Sequence, residues 1–425
     1  MARIIRKLGL QALGVIFFLI TSMVLSYAYV EPVRRLLTTT PPSELTNPDL
    51  PNRPGLKIGD ITFHSAISTG VQSDNNIYLS SDDGKYDAIN HEAGSFGLEI
   101  PIKEHKLSFD YLADEYLFTH HDRNDHVDQR ARALIDLRFT DYRVTLTEVY
   151  RHYTELPGSE NTSRLRQDDN NLRVGVLHET DKLAFNAGYT NIVHHYFNDD
   201  AIFGTVTYRD RDSVVQIIDT SIAYRFMPKT AVVLENDYGI SDHESTKSPN
   251  YYFDDILLGL KGDLHKNLTT TFQAGYRYQY FKESPILFDK TVSKFICRGG
   301  FKYTLQNQDV LDFVLERTVN DSTYQDITYY TTNFTGLSYT HAFTSKLLGQ
   351  LFGKYQRNMY PKETTEGTKT AIRRDNGYST GFNLHYDIRR WLSTELGYEF
   401  KKADSNFQTF AYEDNIFTFK ITAGF

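Results

Sequence analysis

Charged side chains recur at every second position in several segments of this chain of 425 residues. In an extended strand, residues two apart point to the same face, so each segment would present a row of charges. Rows of guanidinium and carboxylate groups attract and orient charged solutes. The residues predicted to form such rows are Arg130, Arg132, Arg138, Arg143, Arg151, Arg173, Arg225, Glu235, Arg277, Arg298, Glu395 and Glu399.

The charged rows allow two kinds of transport chemistry. An arginine-rich wall from Arg130 to Arg151 that faces carboxylates such as Glu395 and Glu399 would give a transverse field, as in a general diffusion pore. A line of Arg, Lys and Tyr would instead attract an anionic polysaccharide and let sugar rings stack on aromatic side chains. The spacing alone leaves both open.

Two histidine pairs are the candidates for metal binding. His120 and His121 precede Asp122, and His194 is followed by His195. We expect both pairs at the ends of strands, where adjacent side chains point to opposite faces and cannot chelate one ion together. They are therefore predicted to be polar rim residues, and no metal or cofactor is expected. Carboxylates in the loops could bind divalent cations that bridge lipopolysaccharide, or could simply be solvated.

Sequence motifs of common enzymes are missing from the chain. It contains no Gly-x-Ser-x-Gly, no His-Glu-x-x-His and no phosphate-binding loop. Catalytic triads are assembled by geometry rather than by sequence order, which leaves an outer-membrane hydrolase open. We predict that the protein is not an enzyme.

Apolar residues alternate with the charged ones from Gly55 almost to the end of the chain, which predicts long amphipathic strands. Short connections alternate with long polar ones, which include 120–128, 318–325 and 359–374. An outer-membrane barrel has short turns on one rim and long loops on the other. We predict an all-β, antiparallel up-and-down transmembrane β-barrel of about 18 strands (range 16–18), and expect it to be monomeric. A barrel of this size encloses water, in which charged rows stay hydrated.

The closing segment, residues 415–425, has one apolar face made of Phe417, Phe419, Ile421, Ala423 and Phe425. A strand with this pattern suits a barrel wall with aromatic rings at the membrane interface. It is also similar to the terminal signal that outer-membrane barrels present to their assembly machinery, for which Phe417, Phe419, Ile421 and Phe425 are the candidates. An ordinary amphipathic strand has the same alternation.

The first residues predict export. Basic residues precede an apolar run from Leu8 to Leu25, and Ser26-Tyr27-Ala28 fits a cleavage site, so residues 1–28 are predicted to be a signal peptide. The length of the run leaves an uncleaved inner-membrane anchor open. Residues 29–56, which are rich in proline, are predicted to be a periplasmic tail, and residues 57–425 the barrel. A net charge of −8 argues against a nucleic-acid partner, and a single cysteine excludes an intramolecular disulfide.

The mature chain resembles the putative β-barrel porin 2 group of bacterial outer-membrane proteins. The resemblance is carried by Gly59 to Gly70-Val71 and Asp74-Asn75-Asn76, by Arg209-Asp210-Arg211-Asp212 and by the closing Phe425. It implies a location in the bacterial outer membrane, with lipid, lipopolysaccharide and the barrel assembly machinery as partners. Several members are similar to components of exopolysaccharide or capsule export loci, so the expected function is a channel for an exported polysaccharide. A general or nutrient diffusion porin, or a surface-structural or adhesive barrel with a closed lumen, are the alternatives.

Overall fold

The computed structural model describes residues 55–155, 164–197, 211–244, 249–282, 290–305, 309–322 and 327–425. The predicted signal peptide and nearly all of the predicted tail lie outside these residues. No helix in the described ranges is long and apolar enough to cross a membrane.

Nineteen strands make up almost the whole described chain. They are β1 (Leu56–Ile58), β2 (Ile61–Asp74), β3 (Asp87–Ile102), β4 (His105–Phe118), β5 (His126–Arg138), β6 (Tyr142–Glu155), β7 (Leu165–Glu179), β8 (Leu183–Tyr196), β9 (Ser213–Met227), β10 (Thr230–His243), β11 (Tyr251–His265), β12 (Leu268–Phe281), β13 (Thr291–Leu305), β14 (Asp309–Asp321), β15 (Tyr329–Ala342), β16 (Leu347–Glu366), β17 (Lys369–Arg389), β18 (Leu392–Ser405) and β19 (Tyr412–Gly424).

The strands form a closed ring. Each strand from β2 to β19 pairs antiparallel with its neighbours in sequence, and β19 pairs with β2 from Ile416–Asp74 to Gly424–Ala66. Short β1 pairs only with β2. The wall therefore has 18 strands, which confirms the predicted antiparallel up-and-down barrel and its size.

The alternation of side chains explains why these segments form a barrel wall. On β2 and β3, the apolar residues Ile67, Val71 and Phe96 are exposed, whereas the intervening Ser68 and His91 are buried. Apolar side chains exposed all round the outside are unfavourable in water and favourable in lipid. The outer face is thus the face expected to meet a bilayer, and the polar face encloses the lumen.

Connections differ in length between the two rims. The turn rim has short connections, such as 139–141 and 228–229, and the loop rim has long ones, such as 75–86 and 119–125. One predicted long loop, 359–374, is instead a continuation of strands, because β16 and β17 run for 20 and 21 residues and pair as far as Glu366 and Lys369. Gly367, with φ of +59°, allows the tight turn between them. Likewise β14 continues into the predicted loop 318–325, as far as Asp321, and β5 already begins at His126 within the predicted loop 120–128.

Candidate channel lining and constriction

All twelve residues of the charged set lie on the inner face, opposite the exposed apolar rows, as the strand registers show. The twelve residues lie at different heights between the two rims of the barrel. Arg225 lies at the turn rim, where it pairs with Glu179 and donates to the Asp181 carbonyl at 2.7 Å. Their role as pore-lining residues stays a prediction.

The arginines of β5 and β6 are partly neutralised within the wall. Arg143 Nε donates to Asp136 Oδ1 at 2.7 Å, and Arg138 Nε donates to Asp136 Oδ2 at 3.0 Å. Asp136 itself is buried. Two guanidinium groups therefore share one carboxylate, and this wall carries less positive charge than the arginine count suggests. Arg132 differs from both, because its Nε is buried without a hydrogen-bond partner.

Three carboxylates lie side by side on the inner face of β9, β10 and β11. Asp237 is the direct cross-strand neighbour of both Asp219 and Asp255. Arg173 pairs with Asp219 at one end of the row, and Arg277 binds Asp255 through two hydrogen bonds of 2.7 Å at the other. Asp237 is buried between them, and its Oδ1 has no hydrogen-bond partner.

The two predicted carboxylates of β18, Glu395 and Glu399, lie close to lysine side chains. Glu399 lies 3.5 Å from Lys354 and 3.9 Å from Lys401, and Lys420 is the cross-strand neighbour of Glu395. Five steps along the wall, through β4, β3, β2 and β19, separate β5 from β18. In a ring of 18 strands, Glu395 and Glu399 therefore do not stand opposite the arginines of β5.

The histidine pairs lie near the loop rim, and only one has the expected geometry. His194 and His195 point apart, to Asp169 at 2.6 Å and to Asp212 at 2.8 Å. His120 and His121 both contact Asp87, at 3.3 and 2.7 Å. The expectation of opposite faces is wrong for this pair, because β4 ends at Phe118 and its two-sided alternation no longer applies. Among the described residues, no group of three or more His, Cys, Asp or Glu side chains is arranged to hold a metal ion.

Asp87 ties this turn to β3. It lies at the loop-rim end of β3, where the outward row begins with the small Ala88 and continues with the polar Asn90 and Glu92. Burial alone would raise the pKa of Asp87. Hydrogen bonds from the His121 ring and from the backbone and ring of His120 together lower it by more, so the pKa lies below the usual range. The carboxylate is therefore stabilised in its charged form.

The wall is interrupted between β13 and β14. Their pairing runs only from Leu305–Asp309 to Cys297–Arg317. Beyond Arg317, β14 stays paired with β15 but leaves β13 and leans over the lumen. We call the described residues 318–322 and 327–332 the flap.

Contacts with the inner face fix the flap. Arg277 Nη1 donates to the Val319 carbonyl at 3.2 Å, and the Tyr251 hydroxyl donates to Asp321 Oδ2 at 2.8 Å. Val319 also packs on Leu257 and Ile296, which face the lumen. The flap therefore narrows the lumen on the side of β11 to β13.

The flap rests on an apolar area that the charged rows did not predict. The inner apolar patch comprises Ile217, Tyr251, Phe253, Phe281 and Val292, and Tyr329 of the flap packs against it. Most other positions of the inner face carry charged or polar residues, although Ile89 and Phe118 form a separate buried apolar cluster on β3 and β4. Tyr251, Phe253 and Leu257 share the inner face of β11 with Asp255, and this break in the alternation was the available signal.

A second aromatic group lies on the inner face of β3 to β5. The rings of His91 and Tyr116 are 4.3 Å apart, and those of Tyr116 and His126 are stacked at 4.6 Å. Tyr116 also donates to Asp114 at 3.2 Å. Neighbouring strands thus present a short aromatic column inside the barrel.

Comparison with known proteins identifies the family. Residues 51–425 match the family described as "Putative beta-barrel porin 2". The chain belongs to this family. It is a porin-like outer-membrane β-barrel, as the resemblance implied. No curated protein matches the chain.

Several solved porins are similar to this family member. The outer membrane protein OpdK of Pseudomonas aeruginosa is 11% identical over 85% of this chain and 98% of its own, with a TM-score of 0.45. OccAB3 of Acinetobacter baumannii is 13% identical over 87% and 100%, with a TM-score of 0.45. OccK2 (OpdF) of Pseudomonas aeruginosa is 10% identical over 86% and 98%, with a TM-score of 0.48.

Proposed function

We propose that this barrel is a diffusion channel for small hydrophilic solutes, with its loop rim outside the cell and its turn rim in the periplasm. The observation that carries the proposal is the flap, which narrows a closed barrel whose inner face is lined mainly by polar and charged groups outside its apolar clusters. A narrowed aqueous lumen favours small solutes over wide polymers.

The inner charges suit passage rather than tight binding. Most are paired in the wall, as in Arg277 with Asp255 and Arg143 with Asp136. Paired groups still offer hydrogen bonds to a passing solute, while their net field is weak. For conduction, a solute must bind each site strongly enough to enter the channel and weakly enough to leave it.

Export of an exopolysaccharide or capsular polysaccharide is the second candidate. It is favoured by the aromatic column of the inner face, because sugar rings stack on aromatic faces. The side chains of His91 and His126 in this column are buried, so Tyr116 is the member that a sugar could reach. Such a polymer would have to pass the flap, so this function requires the flap to move.

Purified full-length protein in planar bilayers and in liposomes tests the proposal. We expect steady single-channel conductance, and liposome swelling in monosaccharides that falls steeply with oligosaccharide length. Swelling that persists with long acidic oligosaccharides would favour polysaccharide export. Absence of conductance and of swelling would overturn both and favour an adhesive or structural barrel.

A further inference from the structure

The interruption between β13 and β14 leaves part of β13 with one neighbour. Residues Thr291–Ile296 pair with β12, but no described strand pairs with their other edge. At about 3.3 Å per residue, this edge is about 20 Å long. Arg317 Nε reaches it with one hydrogen bond, to the Phe295 carbonyl at 3.1 Å. Among the described residues, the wall therefore lacks strand pairing along this edge, and we call the gap in pairing between β13 and the flap the opening.

The opening lies behind an aromatic part of the outer face. Phe295 is exposed on its outer edge and packs edge to face on Tyr276, and Tyr278 and Tyr280 continue the row towards the loop rim. Aromatic girdles mark the interface between hydrocarbon and head groups. Unpaired backbone is excluded from the hydrocarbon itself but is tolerated where it lines a cavity. The opening thus faces the level at which amphiphile head groups reside.

Behind the opening, the inner face is apolar. Ile296 and Val292 of the one-sided segment belong to the two buried apolar clusters, which run together through Tyr329. The inner apolar patch begins at the opening and ends inside the lumen at Ile217 on β9.

A lysine side chain, that of Lys294, lies beside the opening. Lys294 lies between Val292 and Ile296 on the inner row of β13, with its Nζ 5.7 Å from the centre of the Tyr329 ring. Within the described residues, Lys294 makes no ion pair with a carboxylate, whereas its cross-strand neighbour Arg277 is bound to Asp255. An ammonium group beside an apolar surface is the combination that recognises an anionic amphiphile.

We propose that the β13–β14 opening is a lateral portal for a carboxylate with a long acyl chain. The carboxylate binds Lys294, and the chain lies on the inner apolar patch. Such a molecule passes between the lumen and the outer leaflet when the flap lifts. This route is separate from axial diffusion of hydrophilic solutes.

Fluorescence quenching tests access from the bilayer. Trp391, the only tryptophan, is replaced by Phe, and Phe281→Trp places a fluorophore in the inner apolar patch. In vesicles of phospholipid with dibrominated acyl chains, we expect about twofold quenching relative to unbrominated vesicles, because chains that enter a pocket are largely enclosed by it. Phe118→Trp is the matched control, since Phe118 is buried on the inner face near the same rim, on β4, which pairs with β3 and β5. It should not be quenched.

The head-group assignment is tested with free dibromostearate on the Phe281→Trp protein. Lys294→Gln should raise the half-quenching concentration about tenfold, as loss of a charge-assisted hydrogen bond would. The corresponding dibrominated alcohol should bind both proteins equally. Heat-dependent gel mobility verifies that each variant is a folded barrel, and Lys294→Arg should retain affinity.

Equal quenching of the Phe281→Trp and Phe118→Trp proteins, or no quenching of the Phe281→Trp protein, would overturn the portal. An unchanged half-quenching concentration in the Lys294→Gln variant would overturn the proposal that a carboxylate binds Lys294. Neither readout depends on ion conductance, so a barrel that conducts without binding the amphiphile, or binds it without conducting, separates this proposal from that of the diffusion channel.

Discussion

The Tyr251 hydroxyl donates a hydrogen bond of 2.8 Å to the Asp321 carboxylate, although their strands β11 and β14 are separated in the wall by β12 and β13. In a barrel whose strands pair only with neighbours, such a bond requires one strand to cross above the inner face. This hydrogen bond and that of Arg277 to the Val319 carbonyl therefore define the position of the flap.

Tyr251→Phe should loosen the flap while leaving the wall intact. Loss of one hydrogen bond costs about 1 kcal/mol, which is enough to raise the population of undocked flap several-fold. We expect more frequent current transitions in single-channel recordings. Tyr280→Phe, which removes an exposed outward hydroxyl on neighbouring β12, is the control. Traces of Tyr251→Phe that match those of the parent protein would show that this bond does not hold the flap.

Gly188→Ala should destabilise the barrel through an ion pair. A Cβ atom at Gly188 would lie 2.5 Å from Asp219 Oδ1 and 2.6 Å from Arg173 Nη2, so both side chains must shift and the pair is weakened. Breaking a buried pair completely costs about 3 kcal/mol, which sets the upper limit of the loss. The urea midpoint for unfolding, followed by gel mobility, should fall. Gly94→Ala, whose Cβ would meet nothing within 4 Å, should leave the midpoint near that of the parent; equal losses would point to glycine itself rather than to the ion pair.

Neutralising Arg132, Arg138 and Arg143 together should lower anion preference, measured as the reversal potential in a salt gradient. Arg132→Gln should account for most of the change, because Arg138 and Arg143 are both held by Asp136. The field of a paired charge is weak beyond its partner. Unchanged selectivity in the triple variant would remove these residues from the pore lining.

Acid should release the turn at His120 and His121. The depressed pKa of Asp87 means that its contribution to stability is fully present above the unfolded pKa of about 4 and is lost as pH falls through the lower folded value. Hydrogen exchange of the amides of residues 119–121 should speed up over that range. Asp87→Asn should show fast exchange at every pH, whereas Asp83→Asn, at an exposed carboxylate of the neighbouring loop, should behave as the parent. Protection that is insensitive to pH in the parent would contradict the role of Asp87.

The alternation of apolar and polar residues in the sequence was sufficient to predict the strands of the barrel wall. Rows such as Phe417, Phe419 and Ile421 on β19 alternate strictly, because one face must meet lipid and the other water. Loop 359–374 was mispredicted because its polar residues carry no apolar row, while cross-strand pairs such as Thr365 with Thr370 still continue the hairpin.

The flap and the partners of the inner charges could not be predicted from periodicity. Alternation assigns Arg277 and Tyr251 to a face, but the departure of β14 depends on contacts between strands that are distant in sequence. The sharing of Asp136 by Arg138 and Arg143 similarly depends on register across a turn.

Closure of the ring by β2 and β19 has a consequence for how the protein is made. Ser65 and Phe425 exchange backbone hydrogen bonds of 2.9 Å from opposite ends of the barrel sequence. Contacts so remote along the chain form slowly, and until they form, both strands expose unpaired edges that invite aggregation. The nascent polypeptide must therefore be kept apart from its copies until its last strand has been delivered, and closure is the step that ends this vulnerable period.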